Sequence, residues 1–265
     1  MLKQRIVSAL GRRKIETAAL VSVAALSSIG IAHRDAPAAS NASAVAQNAQ
    51  YLTTAAATAL ATPVPVEPVA QGAEKVGLPD IENARVESWI KRFTTDLRGS
   101  FATYLDRMTK YEPMIAEKLE KRDMPQGLIY LAMIESGFNP TARSRVAATG
   151  LWQFMRPTAR EYGLKVSGRT DERKNASRST DAALEYLADL HDRFGSWYLA
   201  AAAYNTGQGR VARIMKQVTG REKGTDADFY RIASRLPRET RDYVPKLVAA
   251  ARIGAEPEKY GFGAN

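Results

Sequence analysis

Glu135 is the only acid in the run "LIYLAMIESGFNPTARSRVAATGLWQF", Leu128 to Phe154, whose first third is otherwise oily and helical in pattern. A carboxylate on an apolar face is costly to desolvate unless it is paired, or protonated and put to use. At 3.6 residues per turn Leu128, Leu131 and Glu135 share one stripe, which sets the carboxyl at the helix end against the core. Burial and the partial negative charge of a helix C-terminus both disfavour its ionised form, so a proton is retained near neutral pH. Such an acid can protonate the leaving oxygen of a glycosidic bond and then act as a base, as a lysozyme glutamate does. The structural alternative is a glutamate paired with an arginine at the helix end.

Other chemistries are thin. The chain of 265 residues has no cysteine, which removes disulfides, thiol nucleophiles and thiolate metal sites. Its two histidines, His33 and His191, are too few for a multi-histidine zinc site. His191 follows Leu187 by one turn and reads as a structural residue near an apolar stripe. No Asp-rich loop suggests calcium, so neither metal nor cofactor is expected. The net charge of +10 favours acidic partners, whether nucleic acid, lipid headgroups or a carboxylate-rich cell wall. No helix reads as a nucleic-acid reader, and that partner ranks last.

An all-α domain must position Glu135. Val86, Ile90, Phe93, Leu97, Phe101, Leu105 and Met108 recur at spacings of three or four, the stripe of a long helix or of a pair broken near Gly99. A second helix is expected over Glu112 to Lys121. A third starts after Asp123 and Pro125 and closes at Gly137. "STDAALEYLADLHDRFG" repeats that grammar, with Thr180 as candidate cap, Leu184, Leu187 and Phe194 on one face and Gly195 as the stop. Further helices are expected at Tyr198 to Tyr204, Val211 to Val218, Asp228 to Arg235 and Pro245 to Ile253. No alternating strand pattern and no repeat appears.

The N-terminus differs in kind. Five Lys or Arg residues precede an apolar run of 16 residues, Thr17 to Ala32, followed by small residues suited to a signal peptidase. Residues 1–34 therefore read as a signal peptide or an N-terminal anchor, pointing to export into a periplasm, with or without inner-membrane association. Residues 35–80, rich in Ala, Ser, Thr, Val and Pro, cannot bury enough surface to offset their ordering entropy and read as a disordered linker. Residues 81–265 form the helical domain. The Asn-x-Ser triplets at Asn41 and Asn175 read as chance sequons.

The order and spacing of "ES" at Glu135, "NP" at Asn139, Ser144, "GLWQFM" from Gly150, "AYNTGQGRV" from Ala203 and "LPRETRDYVPKLVAA" from Leu236 resemble the lytic transglycosylases of the soluble and membrane-bound D type. The resemblance runs from about Arg85 to Phe262. It implies a goose-lysozyme-like helical domain whose cleft takes a peptidoglycan glycan strand, cut between N-acetylmuramic acid and N-acetylglucosamine to leave 1,6-anhydromuramyl ends.

In that family Glu135 stands at the catalytic acid/base position and Ser144 at the serine that places the muramyl residue. Gln153 matches the glutamine of the cleft loop, Tyr204 and Asn205 the sugar-contacting pair, and Glu239 and Tyr243 the late "E...Y" motif. Structural roles compete: Ser144 as a turn residue, Gln153 as a loop hydrogen-bonder, Tyr204 as core, Asn205 as a helix C-cap and Glu239 as a solvated first-turn acid. Trp152, Trp197 and the tyrosines could stack on sugars or fill the core. "QFMRP" departs from the family's "QFMP", and "NTGQG" from "NAGPG". A water-using muramidase and a non-catalytic wall-binding protein remain as alternatives. Protein partners are unassigned.

Overall fold

The computed structural model describes Ala73 and residues 76–263. Nine α-helices follow one another among the described residues from 84 onward: α1 Ala84–Thr94, α2 Arg98–Glu120, α3 Ile129–Ser136, α4 Arg156–Glu161, α5 Ala176–Phe194, α6 Trp197–Thr206, α7 Gln208–Thr219, α8 Asp226–Ile232 and α9 Arg238–Ala255. Among the described residues, extended pairing is confined to isolated bridges, Arg143 with Thr149, Thr149 with Phe154 and Val166 with Asp171. The expected all-α class is what folds.

α6, "WYLAAAAYNT", is the centre of the bundle. Its four consecutive alanines, Ala200 to Ala203, are fully buried and present almost no side-chain bulk, so α5, α7, α8 and α9 all pack against it. α9 is the long strut that also crosses α1 and α3. The crossing with α3 is close: a Cβ at Gly254 would lie 2.2 Å from the Tyr130 ring.

Several boundaries differ from the sequence expectation, each for a local reason. The stripe from Val86 to Met108 does break, at Thr95 to Leu97, just before Gly99. The separate helix at Glu112 to Lys121 does not exist, because α2 runs on through Pro113. α9 likewise starts at Arg238 rather than Pro245, which sits inside it. An internal proline costs about 3 kcal/mol through its missing N–H and its ring clash; buried Val244, Leu247 and Val248 on either side offset that cost. Thr180 is no cap. Asn175 caps α5 by accepting the Arg178 N–H, and Thr180, fully buried, instead accepts the Trp152 Nε1–H at 3.0 Å.

The expected linker boundary at residue 80 falls inside the folded unit. Leu78 is buried, the Gly127 N–H donates to the Val76 carbonyl at 2.7 Å, and the Tyr198 hydroxyl donates to the Pro79 carbonyl. Asp80 is gripped by the buried Arg252 guanidinium of α9, with Nε 2.7 Å from Oδ1, while Arg252 Nη1 reaches Glu87 of α1 at 2.6 Å. A buried charge pair of this kind is tolerated because each partner is the other's counter-ion. The signal or anchor at 1–34 and the linker up to residue 72 lie outside the described residues. No helix among the described residues is long and apolar enough to cross a membrane.

Candidate active site

α3 carries no polar face: every residue from Ile129 to Glu135 is buried. Gly137 ends it in the left-handed region at φ 56°, where a Cβ would also strike the Tyr104 ring at 2.3 Å. Phe138 follows with the same φ of 56° and is fully buried, stacked on Tyr111. Two successive left-handed residues, one of them not glycine, turn the chain sharply out of the helix; such strain persists only where packing enforces it. Asn139 then closes an Asx turn, its Oδ1 accepting the Thr141 N–H at 3.0 Å.

The loop that follows is pinned from several sides. Ser136 at the end of α3 donates to the Leu151 carbonyl at 2.8 Å, and Tyr204 of α6 donates to the Trp152 carbonyl at 2.7 Å. Thr180 of α5 holds the Trp152 indole. Arg173, buried, forks onto Asp171 and sends Nη1 to the carbonyls of Ala147 at 3.0 Å and Phe154 at 2.9 Å. Ala147 and Gln153 take positive φ, 64° and 48°, inside this clamp.

Glu135 is 4% exposed, and no arginine among the described residues pairs with it. Its Oε1 accepts the Tyr243 hydroxyl of α9 at 2.6 Å, while Oε2 has no hydrogen-bond partner among the described residues. Burial pushes its pKa up to about 7, against a smaller downward pull from the Tyr243 hydrogen bond and the Lys246 ammonium; the Glu239 charge adds a weaker upward push. The Tyr243 phenol is itself held well above its ordinary range, first by burial and then by Glu135, so it stays a donor. Since Tyr243 fills Oε1 as an acceptor, the carboxyl proton belongs on Oε2.

The other expected site residues divide. Tyr204 is buried beside Glu135, whose charge helps raise its pKa after burial itself. Asn205 is buried too, with Nδ2 donating to Glu239 Oε1 at 3.2 Å and Oδ1 accepting the Thr240 hydroxyl at 2.7 Å; it ties α6 to α9 rather than capping a helix. Glu239, half-buried in the first turn of α9, is therefore not simply solvated. Ser144 sits in the loop with its Oγ accepting the Ala148 N–H at 3.0 Å. Gln153 is buried and spends its Nε2 on the loop carbonyls of Gly150 at 2.8 Å and Ala142 at 3.2 Å. Trp152 is fully buried core, and Trp197 stacks on His191 at 4.0 Å. Arg156 and Pro157 simply open α4.

The site thus gathers two regions far apart in the chain, α3 with its loop and α9, more than a hundred residues later. Residues 112–226 match the transglycosylase SLT domain family. Glu135, Ser144, Gln153, Tyr204 and Asn205 lie within the matched SLT segment, whereas Glu239 and Tyr243 come from beyond it. The chain is 38% identical over 192 residues to membrane-bound lytic murein transglycosylase D of Escherichia coli K12, covering 71% of this chain and 40% of that protein. It is 36% identical over 135 residues to peptidoglycan transglycosylase gp16 of Escherichia phage T7, covering 50% of this chain and 10% of that one. A solved structure of an inactive mutant of lytic transglycosylase Slt from Pseudomonas aeruginosa aligns with a TM-score of 0.46 at 27% identity, over 57% of this chain and 24% of that one. This chain therefore spans 40% or less of the length of each of these three relatives.

Sequence reasoning passed over Lys246, half-buried on α9 one turn after Tyr243, with its ammonium 5.3 Å from the Trp89 ring and its charge felt by Glu135. The i, i+4, i+7 spacing of Glu239, Tyr243 and Lys246 was the available signal, and it was hidden because the helix was started at Pro245. The tyrosines expected as stacking candidates include a row, Tyr204, Tyr186 and Tyr162, at 5.2 and 4.9 Å centroid separations, whose alignment no spacing in the chain shows. Tyr186 and Tyr162 are half-exposed.

Proposed function

We propose that this chain is a peptidoglycan lytic transglycosylase with Glu135 as its general acid and base. The observation that carries the reading is a buried carboxyl, neutral up to about pH 7, with one oxygen fixed by Tyr243 and the other without a hydrogen-bond partner among the described residues, in a segment that matches the SLT domain family. Oε2 protonates the oxygen bridging N-acetylmuramic acid to N-acetylglucosamine, and the C1–O bond breaks. The substrate's acetamido group stabilises the cation developing at C1. The muramyl C6 hydroxyl then bonds to C1 while Glu135 removes its proton, which restores the acid and leaves a 1,6-anhydro end without consuming water. Attack from within the same sugar needs orientation more than a second carboxylate, and positioning alone supplies about 7–11 kcal/mol in favourable cases. Ser144, whose Oγ accepts one hydrogen bond and retains its own proton to donate, and Tyr243 would do that positioning.

Glu239 is a poor second catalytic carboxylate. It is engaged by the Asn205 amide, and its charge is the weakest of the influences on Glu135. That arrangement supports a single-carboxyl reaction over a paired-carboxylate hydrolase. Mass spectrometry of sacculi digested by the purified chain decides the matter: muropeptides one water lighter than hydrolytic products are expected, and fully hydrated reducing ends would overturn the assignment.

The pH profile follows from the same atoms. Activity should fall on the alkaline side around pH 7 as Glu135 loses its proton. Tyr243→Phe removes a hydrogen bond that favours the carboxylate, so the folded pKa rises and the alkaline limb moves to higher pH, even as turnover drops. An alkaline limb that stays put in that variant would separate it from Glu135. Export to a periplasm, through cleavage near Ala32 or through an uncleaved inner-membrane anchor, accompanies this reading; cell fractionation with N-terminal sequencing of the mature chain tests it.

A further inference from the structure

Between α7 and the start of α9 lies an open hollow of about 420 Å³ that Glu135 does not line. It is lined by three arginines, Arg210 and Arg213 from α7 and Arg235 from the turn before α9, together with Gln217 and Pro237. None of the three arginines forms an ion pair with a described acid; Arg210 Nη1 reaches only the Thr206 hydroxyl, at 3.2 Å. Three cationic residues lining one concavity, with no described acid paired to any of them, give it a positive field, so the hollow favours an anion. Guanidinium groups match carboxylates in particular, through paired N–H donors in a fixed plane.

The hollow adjoins the candidate site along both walls. Thr206, which Arg210 holds, is the neighbour of Asn205, and Pro237 precedes Glu239 by two residues, a separation of about 7 Å at most along the chain. Asn205 and Glu239 are hydrogen-bonded to each other, so the elements that close one end of the Glu135 site also build the hollow. A glycan backbone offers nothing to three arginines, because its N-acetyl sugars are neutral once the lactyl carboxyl is amidated. The free carboxylates of the substrate are on the peptides that hang from it. Ile214 and Leu236 supply an apolar floor on which the methylenes of an acidic side chain can rest.

We propose that this arginine-lined hollow is a carboxylate-binding subsite for the stem peptide of the glycan strand, which makes the chain prefer peptide-bearing over naked strands. The proposal rests on the transglycosylase reading for its substrate, and its test is separable from that reading. The Glu135→Gln chain is titrated calorimetrically with a tetrasaccharide bearing tetrapeptides and with the same tetrasaccharide after amidase removal of the peptides and capping of the freed lactyl carboxyls as methylamides. The peptide-bearing ligand should bind more tightly. Arg213→Ala with Arg235→Ala, both exposed and free of ion pairs, should weaken its binding about tenfold while leaving the naked ligand unchanged. Arg213→Lys with Arg235→Lys keeps the charge and should retain part of the preference.

Equal affinity for the two ligands in the parent, or an equal loss for both in the double alanine variant, would overturn the subsite. So would pocket-dependent binding to phosphatidylglycerol vesicles without peptide preference, which would assign the arginines to a phosphate headgroup. Absence of anhydro products from wild-type digests would count against the catalytic reading alone, since the titration reads the hollow directly.

Discussion

Glu135→Gln should slow strand cleavage by orders of magnitude and yet make the protein more stable in mild alkali. Glutamine keeps the shape and the acceptor for Tyr243 but has no proton to give, so turnover is expected to drop by about 10²–10⁴-fold, the usual contribution of a positioned general acid. The stability change has a definite sign. The Glu135 carboxyl is raised from an ordinary 4.5 to about 7 in the folded chain. Below pH 4.5 folded and unfolded chains both hold the proton and burial carries no electrostatic penalty. As pH rises from 4.5 towards 7 the unfolded chain ionises while the folded one does not, and stability is lost across that window.

That difference amounts to about 3 kcal/mol by pH 8, of which glutamine recovers about 2 after roughly 1 for its own unpartnered buried amide. Thermal denaturation of both chains at pH 4 and pH 8 should therefore show the variant ahead only at the higher pH. A variant no more stable than the parent at pH 8, or one that cleaves sacculi at the parent's rate, would remove Glu135 from the role of a neutral buried acid. The cost of holding that acid in apolar surroundings is the kind of local destabilisation on which catalysis relies.

Gly150→Ala should be the most damaging small substitution in the loop. Gly150 holds φ at 90°, and an added Cβ would lie 1.9 Å from the Arg173 carbonyl oxygen, a backbone atom that no rotamer change can move aside. Left-handed strain of about 1–2 kcal/mol combines with a forced separation of two backbones. A total of about 3 kcal/mol or more corresponds to a melting temperature lower by roughly 6–12 °C for a folded unit of this size.

The displaced partner is also the residue whose guanidinium clamps Ala147 and Phe154, so the loop carrying Ser144 and Gln153 should shift as well. A misplacement of about 1 Å costs about 10²-fold in rate. Calorimetry and a sacculus-turbidity assay on the variant read the two effects. A melting temperature and rate indistinguishable from the parent would mean the loop's geometry is not set by this contact.

Local pattern was enough for much of this molecule. Apolar period, the stop glycines at Gly137 and Gly195 and the Asn139 turn act over a few residues, so an all-α class and the ends of α3 and α5 could be read from the chain alone. The burial of Glu135 was legible for the same reason, since an acid inside an apolar run has nowhere to go but inward. Local rules also misled. Pro113 and Pro245 look like helix starts, yet both lie inside helices because tertiary burial outweighs one lost hydrogen bond. Residues 76–80 read as tether because their composition is poor, whereas Asp80 is held by Arg252, a partner 172 residues away.

What only the tertiary structure decided is which atoms meet. Tyr243 reaches Glu135 across 108 residues because α9 crosses α3 at the contact of Gly254 with Tyr130, and that hydrogen bond dictates which carboxyl oxygen carries the proton. Gln153 turns its amide nitrogen into the loop, and three arginines from two segments line one hollow, for reasons no spacing could reveal. Period and turn chemistry are properties of neighbours in sequence, while a pKa or a binding surface depends on what the fold packs around a group.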